Sequence, residues 1–505
     1  MCIGQKSEME VVLNERANIE KNGISTFIPT IIIFFAFLLF LQPYSNYNLP
    51  MISFEDIHKP NWKYTALRPY IELMHNFVFY KNFYVLHRER IPKDAPIVAI
   101  SNHQNGLSDA LGILFSFSKD KRHPVFIARG DIFKNPVAAK GLYFLRIMPA
   151  FRRQDVGYAN VKHNEEIFDQ SAKILNDNGV VALFPEAGHQ DRHFLGTFKK
   201  GFARMAFRAA AQRDFKGPVY VLPMSNHYTN YFSVQGQLVM TIGEPIDISY
   251  LYDTYKEKPD LALKQLTDRA REVVESLMLN IKTKEFYEEY QMLCEIFSRE
   301  MLVKEGVAFN HLPSQLDASK RIVARLEKLE QEDPEKHAKI MDDTYQYIRS
   351  IEKLNLRDWV FAKKMSFWSL LGNLLLSILL APIVIIGWLL YLIPFNASFL
   401  VTRNIEDQML HSSFHFAIWT LVAYPIWFII LSLVLGFTTH LWWLIPILFV
   451  VCLLTVIYYF RGKTLIKKLH NRLRRFVFWY RGDYRYKKAV KTRASIVGMM
   501  HEIME

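Results

Sequence analysis

The chain is 505 residues long, carries a formal charge of +13, and is 50% hydrophobic with aromatics at 14%. Its length exceeds one usual domain, and its apolar excess sits in a few long runs, which argues against a wholly soluble globule and for a membrane protein with a folded part outside the bilayer. The positive charge suits either nucleic acid or an anionic membrane surface, and the long apolar runs favour the membrane, so no nucleic-acid partner is expected.

Three cysteines occur, Cys2, Cys294 and Cys452, far apart and without paired metal spacing, so neither a disulfide framework nor a structural zinc is expected. Ile24 to Leu41 is an uncharged stretch of 18 residues, marginal for crossing a hydrocarbon core of about 30 Å. Residues 1–50 read either as an N-terminal anchor or as a mis-set start ahead of Met51, and not as a cleavable signal.

Residues 51–255 form the first folded unit. From about Tyr80 to Asp247, short apolar runs ("PIVAIS", "HPVFIA", "GVVALFPE", "PVYVLPM", "LVMTIGEPI") have the composition of strands. Between them, Asn164 to Asn178 and Thr197 to Gln212 repeat their apolar residues at three and four, as helices do. This alternation predicts an α/β domain with a mostly parallel sheet and a site at the carboxyl ends of its strands.

Residues 256–365 are charged and helical by period, a connector. Residues 366–460 hold three apolar stretches, each long enough to span and flanked by aromatics, an α-helical membrane region. Residues 461–505 turn basic, with seven Lys or Arg in "RGKTLIKKLHNRLRRF", and are expected as a cytoplasmic tail resting on the membrane surface. Lys363 and Lys364 before the first stretch and the basic run after the third place both flanks in the cytoplasm. Three full crossings cannot do that. The first stretch contains Pro382, Gly387 and Pro394, so it is the one expected to enter and return, or to lie partly in the interface.

The chemistry lies in the α/β part. "SNHQNGLSDAL" follows a strand and brings His103 and Asp109 around the head of a helix. An imidazole takes a proton from an alcohol near neutral pH, and a carboxylate on its other nitrogen fixes the tautomer. With no serine nucleophile nearby, such a pair suits direct attack by a substrate hydroxyl; the bland reading is a polar turn capped by Asn102 or Asn105. "IMPAFRRQD" then presents Arg152 and Arg153, "LFPEAGHQDR" presents Glu186 and Gly188, and "YVLPM" presents Pro223. Taken singly, Arg152 reads equally as a surface ion-pair partner, Glu186 as a helix cap and Pro223 as a strand end. His189 and His193 lack a third metal ligand and read as surface histidines, with no metal.

These four blocks, in this order, resemble the glycerolipid acyltransferases typified by the lysophosphatidate, PlsC-like enzymes, over roughly residues 80 to 250. The resemblance implies that His103 is the general base and Asp109 its orienting partner. It implies that Arg152, with Arg153 beside it, holds the acceptor's phosphate, that Glu186 helps place the polar head, that Gly188 makes a close turn, and that Pro223 shapes an apolar wall. Two departures stand out: five residues rather than four separate His103 from Asp109, as in a branch that includes fungal glycerol-3-phosphate acyltransferases, and Ala187 replaces the first glycine after Glu186.

The function expected is acyl transfer from a thioester, acyl-CoA or acyl carrier protein, to the hydroxyl of 1-acylglycerol 3-phosphate, without cofactor. Basic residues at Lys121, Arg122, Arg129, Lys199 and Lys200, with the Arg152 and Arg153 pair, are candidates for attracting acidic donor and acceptor. Glycerol 3-phosphate, a lysophospholipid or an amino-lipid hydroxyl is the alternative acceptor. A non-catalytic scaffold or transporter is the alternative of another class, opposed by the near absence of ionisable residues in the apolar stretches.

Overall fold

The computed structural model describes residues 54, 56–133, 136–151, 163–186, 188, 192–231, 234–362, 366–403 and 408–504. Helix α1 (Trp62–Leu73) opens it, with Asn61 accepting from the Lys63 and Tyr64 amides at its start. A π-turn, Met74–Phe79, leads into β1 (Tyr80–Leu86). Then follow β2 (Ile97–Ser101), α2 (Gly106–Ser116), β3 (Val125–Arg129), α3 (Pro136–Phe144), β4 (Ile147–Ala150), α4 (His163–Asn176) and β5 (Val180–Leu183). After α5 (Gly201–Gln212) come β6 (Tyr220–Tyr228), β7 (Gly236–Ile242) and the short β8 (Ile246–Asp247).

The strands form one sheet in the order β1-β7-β6-β2-β5-β3-β4, with β8 also on β6. Among the described residues only the β6 pairings with β7 and β8 are antiparallel, so the sheet is mostly parallel, in an α/β domain. Its central strands are apolar on both faces, as parallel strands covered on both sides must be. Val98 and Ile100 point into a core with α4 and α5, while Ile97 and Ala99 point into a second core with α1 and α2. Two strands lie outside the runs that the sequence marks: β1, on the edge beside β7, and β4, on the opposite edge.

Beyond the sheet, α6 (Tyr252–Glu257) and α7 (Pro259–Leu277) lead to α8 (Tyr287–Lys304), α9 (Leu312–Glu332) and α10 (Pro334–Lys353). Three longer apolar elements follow: α11 (Phe367–Thr402), then α12 (Gln408–Ile418) and α13 (Tyr424–Thr439) joined through a π-helical segment at Trp419–Ala423, then α14 (Ile445–Tyr480). Among the described residues three helices are long and apolar enough to cross a membrane, Phe367–Leu400, Phe414–Thr439 and Trp442–Tyr480.

The first stretch does not enter and return. It is one helix of 36 residues that continues through Pro382 and Pro394 without turning back. Close packing supports it there: a Cβ on Gly387 would stand 2.5 Å from the Thr455 carbonyl of α14. Helices α11 and α14 run antiparallel. Tyr391 and Tyr459 meet at 5.4 Å between ring centroids. Just before α11, the Trp359 ring lies 5.8 Å from the Arg472 guanidinium and the Val360 carbonyl accepts from Arg475, both late in α14. The seven basic residues therefore continue the third apolar helix.

The final helix, α15 (Tyr484–Met504), packs on the helices that precede the apolar region. Ala489, Ile496 and Met500 are buried in one core with α8, α9 and α10. Arg493 donates to Asp358 at 2.7 and 3.3 Å, and the Tyr347 hydroxyl donates to the same carboxylate at 2.8 Å. Asp358 is buried, so these donors stabilise a charge that water does not reach.

Candidate active site

The parallel register of β2 on β5 pairs Ile100 with Leu183. Both strands end there, so the segment after β2 and the segment after β5 emerge side by side. His103 stacks on Phe184 with ring centroids 4.1 Å apart and planes 9° apart. The His103 amide donates to Glu186 Oε1 at 2.9 Å.

His103 Nδ1 lies 2.8 Å from Asp109 Oδ2. A carboxylate only accepts, so Nδ1 carries the proton and Nε2 is the basic nitrogen. The imidazole side chain is 18% exposed and that of Asp109 is 0% exposed. Oδ2 also accepts from the Gln104 and Asn105 amides at 2.8 and 2.7 Å. Asn105, at the head of α2, makes no side-chain cap. Asp109 thus bonds the imidazole and also satisfies two amides that precede its own helix.

The other wall is β6, which the sequence marks only at Pro223. Asn102 and Asn226 exchange hydrogen bonds: the Asn226 amide donates to Asn102 Oδ1 at 2.8 Å, and each side-chain amide donates to the other's carbonyl, at 3.2 and 2.7 Å. Two residues on, the Tyr228 hydroxyl donates to Asp109 Oδ1 at 2.5 Å. Asn105 Nδ2 donates to the Tyr231 carbonyl at 2.8 Å. These contacts follow from β6 lying next to β2, with Ser101 opposite Met224, a neighbour relation that no local motif states.

The remaining predicted residues divide. Glu186 is at the site, but its two oxygens accept from the backbone, Oε1 from His103 and Oε2 from Gly196 at 2.7 Å. Burial pushes its carboxyl up from the usual range, and those two amides oppose the shift. Among the described residues no atom lies within 4 Å of where a Cβ on Gly188 would stand, so none of them crowds that position. Pro223 is buried within β6 opposite Ile100, behind the strand ends. Arg152, Arg153 and His189 lie outside the described residues. His193 is not on the surface: it is buried, 5.3 Å from the His227 ring and 3.5 Å from the Tyr231 hydroxyl. Of the basic candidates, Arg122 is committed to Asp120 and to the Pro92 and Ala95 carbonyls, while Lys199 is exposed and its amide donates to the Pro185 carbonyl. Arg192, not singled out by sequence, lies 5.1 Å over the Tyr287 ring, and its carbonyl accepts from Gln104.

The apolar helices reach this domain directly. Helix α12 packs on α2, the helix that bears Asp109. Phe416 meets Phe79 at 4.5 Å, and the Tyr70 hydroxyl donates to the Thr420 carbonyl at 2.7 Å.

Residues 82–226 match the family model described as Acyltransferase. Glycerol-3-phosphate O-acyltransferase 2 of Saccharomyces cerevisiae is 27% identical over 202 residues, 40% of this chain and 26% of that protein. An uncharacterized acyltransferase of Schizosaccharomyces pombe is 24% identical over 194 residues, 38% of this chain and 27% of that one. The matches thus span about a quarter of the length of these curated relatives. Among solved structures, the 1-acyl-sn-glycerophosphate acyltransferase PlsC of Thermotoga maritima aligns over 47% of this chain and 86% of its own, at 22% identity and a TM-score of 0.27. Over residues 82–226 the chain therefore matches the Acyltransferase family model and is similar there to glycerolipid acyltransferases.

Proposed function

We propose that the chain transfers a fatty acyl group from a thioester, acyl-CoA or acyl carrier protein, to the hydroxyl of 1-acylglycerol 3-phosphate. The observation that carries the chemistry is the His103 and Asp109 pair, with the proton on Nδ1 and a partly exposed imidazole. His103 Nε2 takes the hydroxyl proton as the oxygen attacks the thioester carbonyl. The tetrahedral intermediate then collapses, the C–S bond breaks, and the imidazolium returns the proton to the departing thiolate. Asp109 stabilises the imidazolium between the two steps. Arg152 and Arg153 are proposed to bind the acceptor's phosphate.

The lipid acceptor is preferred because α12, part of an apolar stretch, is seated on the helix that bears Asp109, which favours a substrate that arrives from the membrane. A second reading, glycerol 3-phosphate as acceptor, is favoured by the similarity to the yeast protein of that name. Purified protein supplied with a labelled acyl thioester and either acceptor decides between them. Product with glycerol 3-phosphate alone overturns the first reading, and product with neither overturns both.

For topology, we propose that both flanks of the apolar region lie on one membrane face, with the α/β domain in the cytoplasm. Three full crossings would leave α11 and α14 parallel. They run antiparallel, and the residues before α11 meet the end of α14. Helix α12 runs back along the end of α11, with Phe395 to His415 at 4.4 Å and Phe399 to His411 at 5.5 Å. Past the π-helical segment, α13 packs against the start of α14, with Phe428 to Phe449 at 5.3 Å.

A further inference from the structure

We infer that Tyr228 is a positioning residue for acyl transfer, holding the Asp109 carboxylate in the plane that serves His103; this rests on the acyl-transfer reading above. Asp109 has two oxygens with different surroundings. Oδ2 carries three donors, all from the loop between β2 and α2. Oδ1 faces the opposite way, and among the described residues its hydrogen-bond donor is the Tyr228 hydroxyl. Rotation about the Cβ–Cγ bond swings both oxygens together, so the Tyr228 donor on the far oxygen opposes it from the side away from the loop and helps hold the line from Oδ2 to Nδ1.

Tyr228 is itself rigid. It closes β6, with its backbone in register with Leu238 of β7, and is 1% exposed. Its ring is flanked by Tyr80 at 6.0 Å and Tyr231 at 5.5 Å between centroids. Burial and the Asp109 charge push its phenol well above the usual value, so it remains a donor wherever His103 can act as a base. The hydroxyl also draws charge from the carboxylate. With less negative charge facing Nδ1, the imidazole is held without over-stabilising its protonated form. Other ionisable residues in contact with the loop are Glu186 on the His103 amide, Arg192, whose carbonyl accepts from Gln104, and Tyr231, whose carbonyl accepts from Asn105.

The test compares Tyr228→Phe, which keeps the ring and loses the hydroxyl, with Tyr80→Phe, which loses a buried neighbouring hydroxyl that does not bond Asp109. Two readouts are taken on the full chain in lipid or detergent: steady-state acyl transfer against pH, and the far-downfield proton resonance of the His103 Nδ1–H, assigned by its loss in His103→Ala. Tyr228→Phe is expected to lower kcat roughly 10- to 100-fold, in keeping with the loss of one hydrogen bond to a charged group, with KM for both substrates changed less than about twofold. The acidic limb of its rate profile moves to higher pH and the Nδ1–H resonance moves downfield, because Asp109 then turns more of its charge to the imidazole. Tyr80→Phe shifts neither. A ring-fluorinated tyrosine at 228, a stronger donor of nearly the same shape, moves the limb and the resonance in the opposite directions, which keeps the test open if Tyr228→Phe folds poorly. An unchanged resonance and limb in both Tyr228 replacements overturns the inference. If wild-type protein transfers no acyl group at all, the acyl-transfer reading fails, and the resonance still reports whether Tyr228 sets the His103–Asp109 bond.

Discussion

His103 Nδ1 and Asp109 Oδ2 stand 2.8 Å apart although five residues separate them. The loop closes because Asp109, in the first turn of α2, faces back toward β2 and gathers the Gln104 and Asn105 amides on the oxygen that receives the imidazole. The extra residue in "QNGLS" is thus accommodated without separating the pair.

Replacing His103 with Ala should reduce transfer by about 10²–10⁴-fold, the usual worth of a general base, while thermal unfolding stays near that of the parent. In Asp109→Asn the amide nitrogen would face Nδ1 and move the proton to Nε2, so transfer should fall although the loop retains an acceptor. Turnover within a few-fold of the parent in folded His103→Ala would sink the catalytic reading.

Glu186 distinguishes a brace from a substrate contact. Its oxygens are bonded to the His103 and Gly196 amides, so Glu186→Ala leaves two donors without their acceptor, at about 1–3 kcal/mol for each buried group left unmade. The expected result is lower stability and lower kcat with little change in KM for the acceptor. A large rise in acceptor KM at parental stability would instead assign Glu186 to the substrate's head group.

Stability should fall in mild acid. Burial holds His193 at about 3 and His227 at about 4, against an ordinary 6.5. The folded chain keeps both neutral, so the unfolded chain binds more protons below 6.5. The contribution is fully present above that value and is lost as pH falls toward the folded values, by up to roughly 1.4 kcal/mol per unit for each histidine. Thermal unfolding between about pH 7 and pH 5 should show the slope, and His193→Gln should flatten it. An identical slope in the variant would place the sensitivity elsewhere.

Topology can be read with single cysteines in a Cys2→Ser background, since Cys294 and Cys452 are buried. Ser495, on α15, and Lys216, after α5, are both exposed. Ser495→Cys and Lys216→Cys should react with a membrane-impermeant reagent from the same face of sealed vesicles. Reaction from opposite faces would require an odd number of crossings and would end the one-face proposal.

The central strands were legible because a parallel strand covered on both faces is a short unbroken apolar run, as in "PIVAIS". β1 was not, since six of its seven residues are only partly buried or exposed. β4 was not, being four residues long with a proline inside. The His103 and Asp109 pair was legible from local spacing. Asn226 and Tyr228 were not, because their partners are more than a hundred residues away and meet them only through the β2 and β6 pairing. Pro382 and Pro394 suggested a broken helix, but neighbouring helices in an apolar setting support a proline-containing segment that would fail alone in water.

The burial of α15 against α8, α9 and α10 has a consequence for the order of synthesis. The helices before the apolar region leave the ribosome first, yet their core remains open until Ala489, Ile496 and Met500 arrive, and Asp358 lacks its guanidinium until Arg493 does. Domains generally fold as units during synthesis, but this one must wait while everything from Phe367 to Tyr480 is made and delivered to the bilayer. A nascent chain released early, at a stop codon near residue 480, would therefore present an intact sheet and a complete His103 site beside an unsealed helical half. Quality control would meet such a product as a folding failure far from its chemistry.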